Sequence, residues 1–493
     1  MSTKNIVILS LISLLIFSCK KDFFIEGGDG KLSFSNDSII FDTVFTSVGS
    51  ITKIFKIYNP NNSAVKIKNI NLLNNNNNSV YRINIDGKPF DQFQELTIAS
   101  NDSLYVFVEA TINPNSTSLP FLISDSIQIS TQSYTNFIKL IAYGQNANFH
   151  LAEPQEISLI NKNNDTIIPS YISIDGNNPT IWNNDLPHVV YGYVIIEPGA
   201  ELIIEEGTKI YFHNNSGLIV GNPFKTQNGG KLTVNGSLEN KVIFQGDRLD
   251  EYYKDAPAQW DRIWISKGSF NNSINHAIIK NSIVGIQSDT IGSINVPTLT
   301  INNTIIENAS DIGMFAQGSH IVGNNNIITN CGRYSLVLNI GGQYDFNHCT
   351  FANFYEFDNR NTPSILINNY YEDFNGNIQP RALIEALFTN CIFSGNLEHE
   401  IILQENTSVD FNYQFNHCLL KIHPDSSISN YVQTESQKIS SNSELFEDYL
   451  NNDFLPKENS QAIDYGIPTE IDIDINGISR TPLPDIGALE REN

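Results

Sequence analysis

Phe346-Asn347-His348-Cys349-Thr350-Phe351-Ala352-Asn353 decides the fold, because it recurs. Ile274-Asn275-His276-Ala277-Ile278-Ile279-Lys280-Asn281 and Ile301-Asn302-Asn303-Thr304-Ile305-Ile306-Glu307-Asn308 share its form, and weaker copies stand at 323–330, 388–393 and 415–420. Its fourth position reads Ala277, Thr304, Asn326, Cys349, Cys391 and Cys418, at steps of 27, 22, 23, 42 and 27 residues. A period in the twenties with short apolar runs and Asn-rich corners is what the stacked rungs of a parallel β-helix require. Positions one, four and six are expected to point inward, four being small or thiol-bearing and six large and apolar. Position two, mostly Asn, is expected to form a ladder of amides from rung to rung.

At position three, His276, His348 and His417 exchange with Asn303, Asn325 and Asn390. A histidine line that binds metal or moves protons is one reading. The exchange with Asn favours the other, a corner ladder of planar hydrogen-bonding groups. Cys331, Cys349, Cys391 and Cys418 lack any Cys-x-x-Cys element, which argues against zinc and for free thiols in a buried stack. A Cys391–Cys418 disulfide between neighbouring rungs stays open as the alternative.

Working outward, residues 194–434 read as the β-helix. Val194-Ile195-Ile196, Leu202-Ile203-Ile204, Leu218-Ile219-Val220 and similar triplets are punctuated by Pro198-Gly199, Glu206-Gly207 and Asn235-Gly236, giving on the order of ten rungs. Residues 32–147 alternate in about seven short strands and predict an immunoglobulin-like β-sandwich. Residues 148–193 read as a connecting or N-terminal cap region, and 435–493 as a C-terminal cap over the solenoid end. The whole is all-β.

Residues 1–18 have the form of an export signal: Lys4, then the 12-residue apolar run 6–17, too short to span a bilayer. Ile16-Phe17-Ser18-Cys19 resembles a lipobox, so Cys19 is the candidate lipidation site and 19–31 a tether to the membrane. The net charge of −24 excludes the usual nucleic-acid partner, which needs clustered Lys and Arg, and disfavours polyanionic glycans.

Chemistry is sought on two insertions, because loops leaving a rigid solenoid are free to recognise ligands. The first, 246–262, offers Arg248, Tyr252, Tyr253, Asp255 and Trp260. The second, 354–387, offers Asp358, Arg360, Tyr370, Tyr371, Glu372 and Asp373. Aromatic faces beside carboxylates and Arg suit a sugar. The competing reading is that both loops fold over the coil and hide apolar strands. Asp472, Asp474 and Asn476 begin a calcium-loop pattern, but its twelfth position is Leu483, so a turn held by contacts between Asp and Arg480 is favoured over a metal. No cofactor is implied.

The segments 41–50, 102–109, 143–147, Gly246-Asp247-Arg248 and Gln259-Trp260, with the closing Pro484-Asp485-Ile486-Gly487-Ala488-Leu489-Glu490, resemble Bacteroidetes-type surface lipoproteins of the right-handed parallel β-helix repeat family. Those relatives carry Trp-Gly-Gly where this chain has Trp260-Asp261-Arg262. The resemblance implies a pectin-lyase-like fold and an outer-membrane, lipid-anchored location, with no agreed reaction. The leading expectation is therefore a cell-envelope lipoprotein that binds or scaffolds, its partner a glycan or a surface protein. The alternatives are a polysaccharide lyase or glycoside hydrolase in a loop-lined groove, and a structural spacer.

Overall fold

The computed structural model describes residues 30–492, apart from 75–78, 90–95, 116–119, 156–158, 161–165, 226–228, 292, 294 and 374. Cys19 and the leader lie outside the described residues. Two compact units divide at Asn146/Ala147. The first has one sheet of strands Ser33–Phe34, Lys53–Tyr58, Ser103–Ala110, Tyr81–Ile85 and Lys88–Pro89. A second holds Ser38–Phe45, Thr135–Gln145, Phe121–Ser130 and Asn69–Leu72. Strand alternation turns Phe55, Ile57, Val106 and Val108 of one sheet and Phe41, Ile127 and Leu140 of the other into a shared core.

The second unit is a coil of three long sheets. Sheet A runs from Asn148–Leu151 to Gln437–Lys438, sheet B from Glu153–Pro154 to Ile401–Gln404, and sheet C from Thr180–Trp182 to Gln433–Thr434. Apart from the first pair of sheet B, every neighbour within these sheets pairs in parallel, and each turn of chain adds one strand to C, then A, then B. That is the connectivity of a parallel β-helix. Sheet C holds ten strands among the described residues, matching the expected number of rungs.

The repeat is the corner from sheet C to sheet A. Phe346 and Asn347 end the strand Gly342–Asn347, and His348 turns the chain at φ 49° into Thr350–Asn353. His276, Asn303, Asn325, Asn390 and His417 all share this left-handed conformation, with φ between 48° and 53°. Asn is among the few residues that tolerate it, which explains the Asn-rich corners. Position two forms the expected ladder: Asn347 donates to Asn324 Oδ1 at 3.2 Å, and Asn324 to Asn302 Oδ1 at 2.9 Å.

Positions one, four and six are all buried. At position one Phe346, Phe388 and Phe415 stack at 5.6 and 5.3 Å; Phe351 and Phe393 stack at position six, 5.3 Å apart, edge-on to them. Position four has a second duty. Thr304 Oγ1 accepts the N–H of Ala277, Asn326 Oδ1 that of Thr304, Cys391 Sγ that of Cys349, and Ser436 Oγ that of Cys418. At these four corners the amide of one rung is satisfied by the side chain of the next, so position four from Thr304 onward is small and carries a lone pair. All four described cysteines are free and buried, and burial pushes the Cys331 thiol up to about 12.

Two boundaries differ from expectation. Asn148–Leu151, Ser170–Ile174, Thr180–Trp182 and His188–Tyr191 already belong to the three sheets, so the coil begins before residue 194. At the other end, Glu435 (φ 48°) and Ser436 form one more corner, extending the coil past 434. The residues that follow pack along the side of the coil. Position five (Ile305, Ile327, Ile392, Leu419) faces out from sheet A, and Phe446, Phe454, Ile475, Ile486 and Ala488 cover it. This strap is pinned to the corner ladder: Asn390 donates to Ile467 O at 2.8 Å, Arg480 to Asn325 Oδ1 at 3.0 Å, and Gly487 N–H to Asn390 O at 2.9 Å.

Candidate functional site

Sheet B carries the site because its outer face is left open at mid-coil. Its strands Val284–Asp289, Ile312–Gln317 and Tyr334–Asn339 alternate, so Ile286, Met314 and Leu336 point in while Gln287, Phe315 and Val337 point out. The last outward row is polar: Asp289, Gln317 and Asn339 are successive cross-strand partners. Asp289 is locked. Trp264 Nε1 donates to its Oδ2 at 2.7 Å, and Gln317 Nε2 and Gln287 Nε2 to its Oδ1 at 2.9 and 3.0 Å.

The second insertion overhangs this row. Its hairpin pairs Tyr370–Glu372 with Ile378–Pro380, and Arg381 N–H donates to Asn369 O at 2.7 Å where the chain returns to sheet C. Between row and hairpin lies a hollow of about 610 Å³, lined by Asp289, Gln317, Ile340, Tyr371, Arg381 and Ile384 among others. The Arg381 guanidinium lies 5.8 Å from the Tyr371 ring centre. The hollow thus offers apolar and aromatic surface, one fixed carboxylate, one amide and one guanidinium. Apolar walls with a few fixed polar groups are the usual make-up of a small-ligand site.

Of the residues singled out from sequence, Tyr371 lines this hollow. Tyr370 and Glu372 sit beside it in the hairpin. Asp373 closes the hairpin tip, where the amides of Asn377 and Asn375, both at 2.9 Å, hold its carboxyl below the usual range. Asp358 caps its own loop through the Asn359 amide. Arg360 is no ligand: it is buried and paired with Glu400, Nη1 to Oε2 at 2.8 Å and Nη2 to Oε1 at 2.5 Å, fastening the root of the insertion.

The first insertion forms a separate cluster that does not reach the hollow. Arg248 stacks over Tyr253 at 3.7 Å and pairs with Asp250; Tyr252 leans edge-on against Tyr253 and is 81% exposed. Asp255 pairs with Lys280 at 3.1 Å. Trp260 is core, stacked 4.4 Å from Phe212, with its Nε1 donating to Lys280 O. An indole beside Tyr and Arg reads as a binding platform, yet burial wins because Trp260 plugs the coil interior.

The calcium pattern is a structural turn. Asp474 accepts the amides of Asn476 and Ile478 through Oδ1 and that of Glu490 through Oδ2, all at 2.8 Å. Asp472 offers its backbone carbonyl to Arg480 N–H. The Arg480 guanidinium donates to the Asp485 carbonyl at 3.4 Å and pairs with the Glu490 carboxylate at 2.9 Å, so its contacts with Asp run through backbone and its carboxylate partner is Glu490. Among the described residues no cluster of three or more His, Cys, Asp or Glu has the geometry of a metal site.

Sequence reading missed Asp289, Gln317, Phe315 and Tyr334. A signal was present: Asp289, Gln317 and Asn339 recur at 28 and 22 residues, within one residue of the repeat's own steps of 27 and 22, on the third strand of each rung.

No protein-family model and no curated protein matches the sequence. Among solved structures, a family 123 glycoside hydrolase from Clostridium perfringens aligns at 10% identity and TM-score 0.19, over 24% of this chain and 27% of that one. A PapD-like domain of human CEP192 aligns at 13% and 0.17, over 24% of this chain and 88% of the domain. The Salmonella enterica SafA pilin–SafB chaperone complex aligns at 11% and 0.16, over 23% of this chain and 53% of that one. Similarity this low carries no conclusion about function.

Proposed function

We propose that this protein is a lipid-anchored cell-envelope protein whose β-helix binds a glycan in the hollow between sheet B and the 370–381 hairpin. The observation that carries the binding reading is the meeting there of Tyr371 and Arg381 with the fixed Asp289–Gln317 row. A sugar presents an apolar face for the ring and hydroxyls for the amide, carboxylate and guanidinium. The anchor rests on the Cys19 lipobox, and with it the outer-membrane location. The first unit is assigned as an immunoglobulin-like sandwich and the coil as right-handed.

Binding is favoured over glycoside hydrolysis because hydrolysis calls for two available carboxylates flanking one bond. Asp289 is the one carboxylate among the described lining residues, and three side-chain donors already hold it. Charge favours a neutral ligand. The second unit has 18 Lys and Arg against 42 Asp and Glu, so it carries the entire −24 and repels polyanions. A glycan array on the chain from residue 30 tests this. Specific retention, lost in Tyr371→Ala and Arg381→Ala and without product release, supports the reading. Retention unchanged in both variants, or released sugar, refutes it. Mass spectrometry showing an unmodified Cys19 in the mature protein refutes the anchor.

A further inference from the structure

A second hollow, of about 280 Å³, opens on the same face of sheet B. Its floor is apolar: Val284, Ile312 and Val337 are buried, and Phe315, Tyr334 and Leu366 pack on them while remaining half-exposed. Its rim is charged but internally balanced. Arg333 grips Asp311 with two nitrogens, Nη2 to Oδ2 at 2.7 Å. Arg262 bonds Asp261 at 2.8 Å and Gln287 at 2.5 Å.

The two hollows abut. Gln317 lines the first and Asn339 the second, and these residues are direct cross-strand partners, roughly 5 Å apart. Phe315 and Gln317 stand on one strand two positions apart, so a single strand contributes to both floors. The second hollow draws on the strands Val284–Asp289, Ile312–Gln317 and Tyr334–Asn339, while the first takes Asp289 and Gln317 from the ends of two of them and Ile340 from just past the third. A ligand occupying both therefore runs along the strands, not down the coil axis.

We infer that the second hollow is a further subsite of the first, and that the ligand is an uncharged oligosaccharide chain several residues long. This rests on the glycan reading above. Each charge on the second rim already has its partner, so an ionic ligand finds no unpaired group, whereas a neutral sugar ring finds the half-exposed faces of Phe315 and Tyr334. Burial of such rings at the centre of a contact is where binding energy concentrates.

The test is calorimetric titration of the chain from residue 30 with neutral gluco-, manno- and xylo-oligosaccharides, from disaccharide to octasaccharide, with an oligogalacturonide as the acidic comparison. Affinity for one neutral series should rise with length, and the acidic series should bind worse. Tyr334→Ala should leave the disaccharide unchanged and weaken the octasaccharide roughly tenfold. Tyr334→Phe should keep the long-chain gain, and Leu366→Ala reports on the same floor should Tyr334→Ala fail to fold. Tyr371→Ala should weaken every length. Length-independent affinity that Tyr371→Ala abolishes overturns the second subsite and leaves the first standing. Tighter binding of the acidic series overturns the neutral ligand. Absence of binding across all series overturns both.

Discussion

Replacing Glu400 by Leu should be among the most damaging single changes on the coil. Arg360 and Glu400 are fully buried side chains whose two short contacts neutralise each other. Glu400 also accepts the amides of Ser364 at 2.7 Å and Leu397 at 2.8 Å. Removing the carboxylate leaves a guanidinium uncompensated, at about 3–5 kcal/mol. Each of the two stranded amides adds roughly 1–3 kcal/mol, so a loss of at least about 4 kcal/mol is expected. The double variant Arg360→Met, Glu400→Leu removes the charge as well, and should recover about 2 kcal/mol of the loss. Urea unfolding followed by tryptophan fluorescence suits the measurement. The three tryptophans (Trp182, Trp260 and Trp264) all lie in the second unit, so the signal reports the coil alone. A single variant within about 1 kcal/mol of the unsubstituted protein, or a double variant less stable than the single, would refute the reasoning.

Acid should loosen the strap through His348. Burial, reinforced by the nearby Arg480 charge, pushes its pKa down to about 3 from 6.5. The unfolded chain takes up that proton first, so this stability is whole above pH 6.5 and is lost as pH falls toward 3. By pH 5 the loss is about 2 kcal/mol, measurable as a fall in the urea midpoint. His348→Asn should remove this dependence, keep ligand binding, and cost no more than about 1 kcal/mol at neutral pH, because Asn already occupies this corner elsewhere. His348→Val, with a β-branched residue at φ 49°, should cost of order 1–3 kcal/mol by the same assay. Thr304→Val keeps the shape but strands the Ala277 amide, a predicted loss of about 1–3 kcal/mol that Thr304→Ser should not show.

The corner was legible because three demands fall on adjacent residues. A left-handed turn selects Asn or His, a buried amide selects a small acceptor at position four, and a closed interior selects Phe or Ile at one and six. Each leaves its mark on most copies of the repeat. The hollow was legible only in part. Tyr371 showed itself as an aromatic on an insertion, but Asp289 and Gln317 lie at outward positions of ordinary strands, and nothing local distinguishes them from solvated side chains. Trp260 and Arg360 misled for a shared reason. A large or charged residue on a loop has the same appearance whether it turns outward to a ligand or inward to a cavity that must be filled, and only the three-dimensional partner, Phe212 or Glu400, decides.

The strap imposes an order on biogenesis. Ile305, Ile327, Ile392 and Leu419 precede Ile475, Ile486 and Ala488, which cover them, so an exported chain threaded N-terminus first delivers them to its folding compartment well ahead of their cover. A coil still being wound therefore has a greasy flank from its fifth rung onward until the strap arrives. Rung-by-rung winding cannot by itself yield a soluble product. The step of laying residues 439–489 across corners already built is the one that turns a sticky intermediate into a finished particle, so a chain truncated within that stretch would leave an aggregation-prone coil with its rungs otherwise intact.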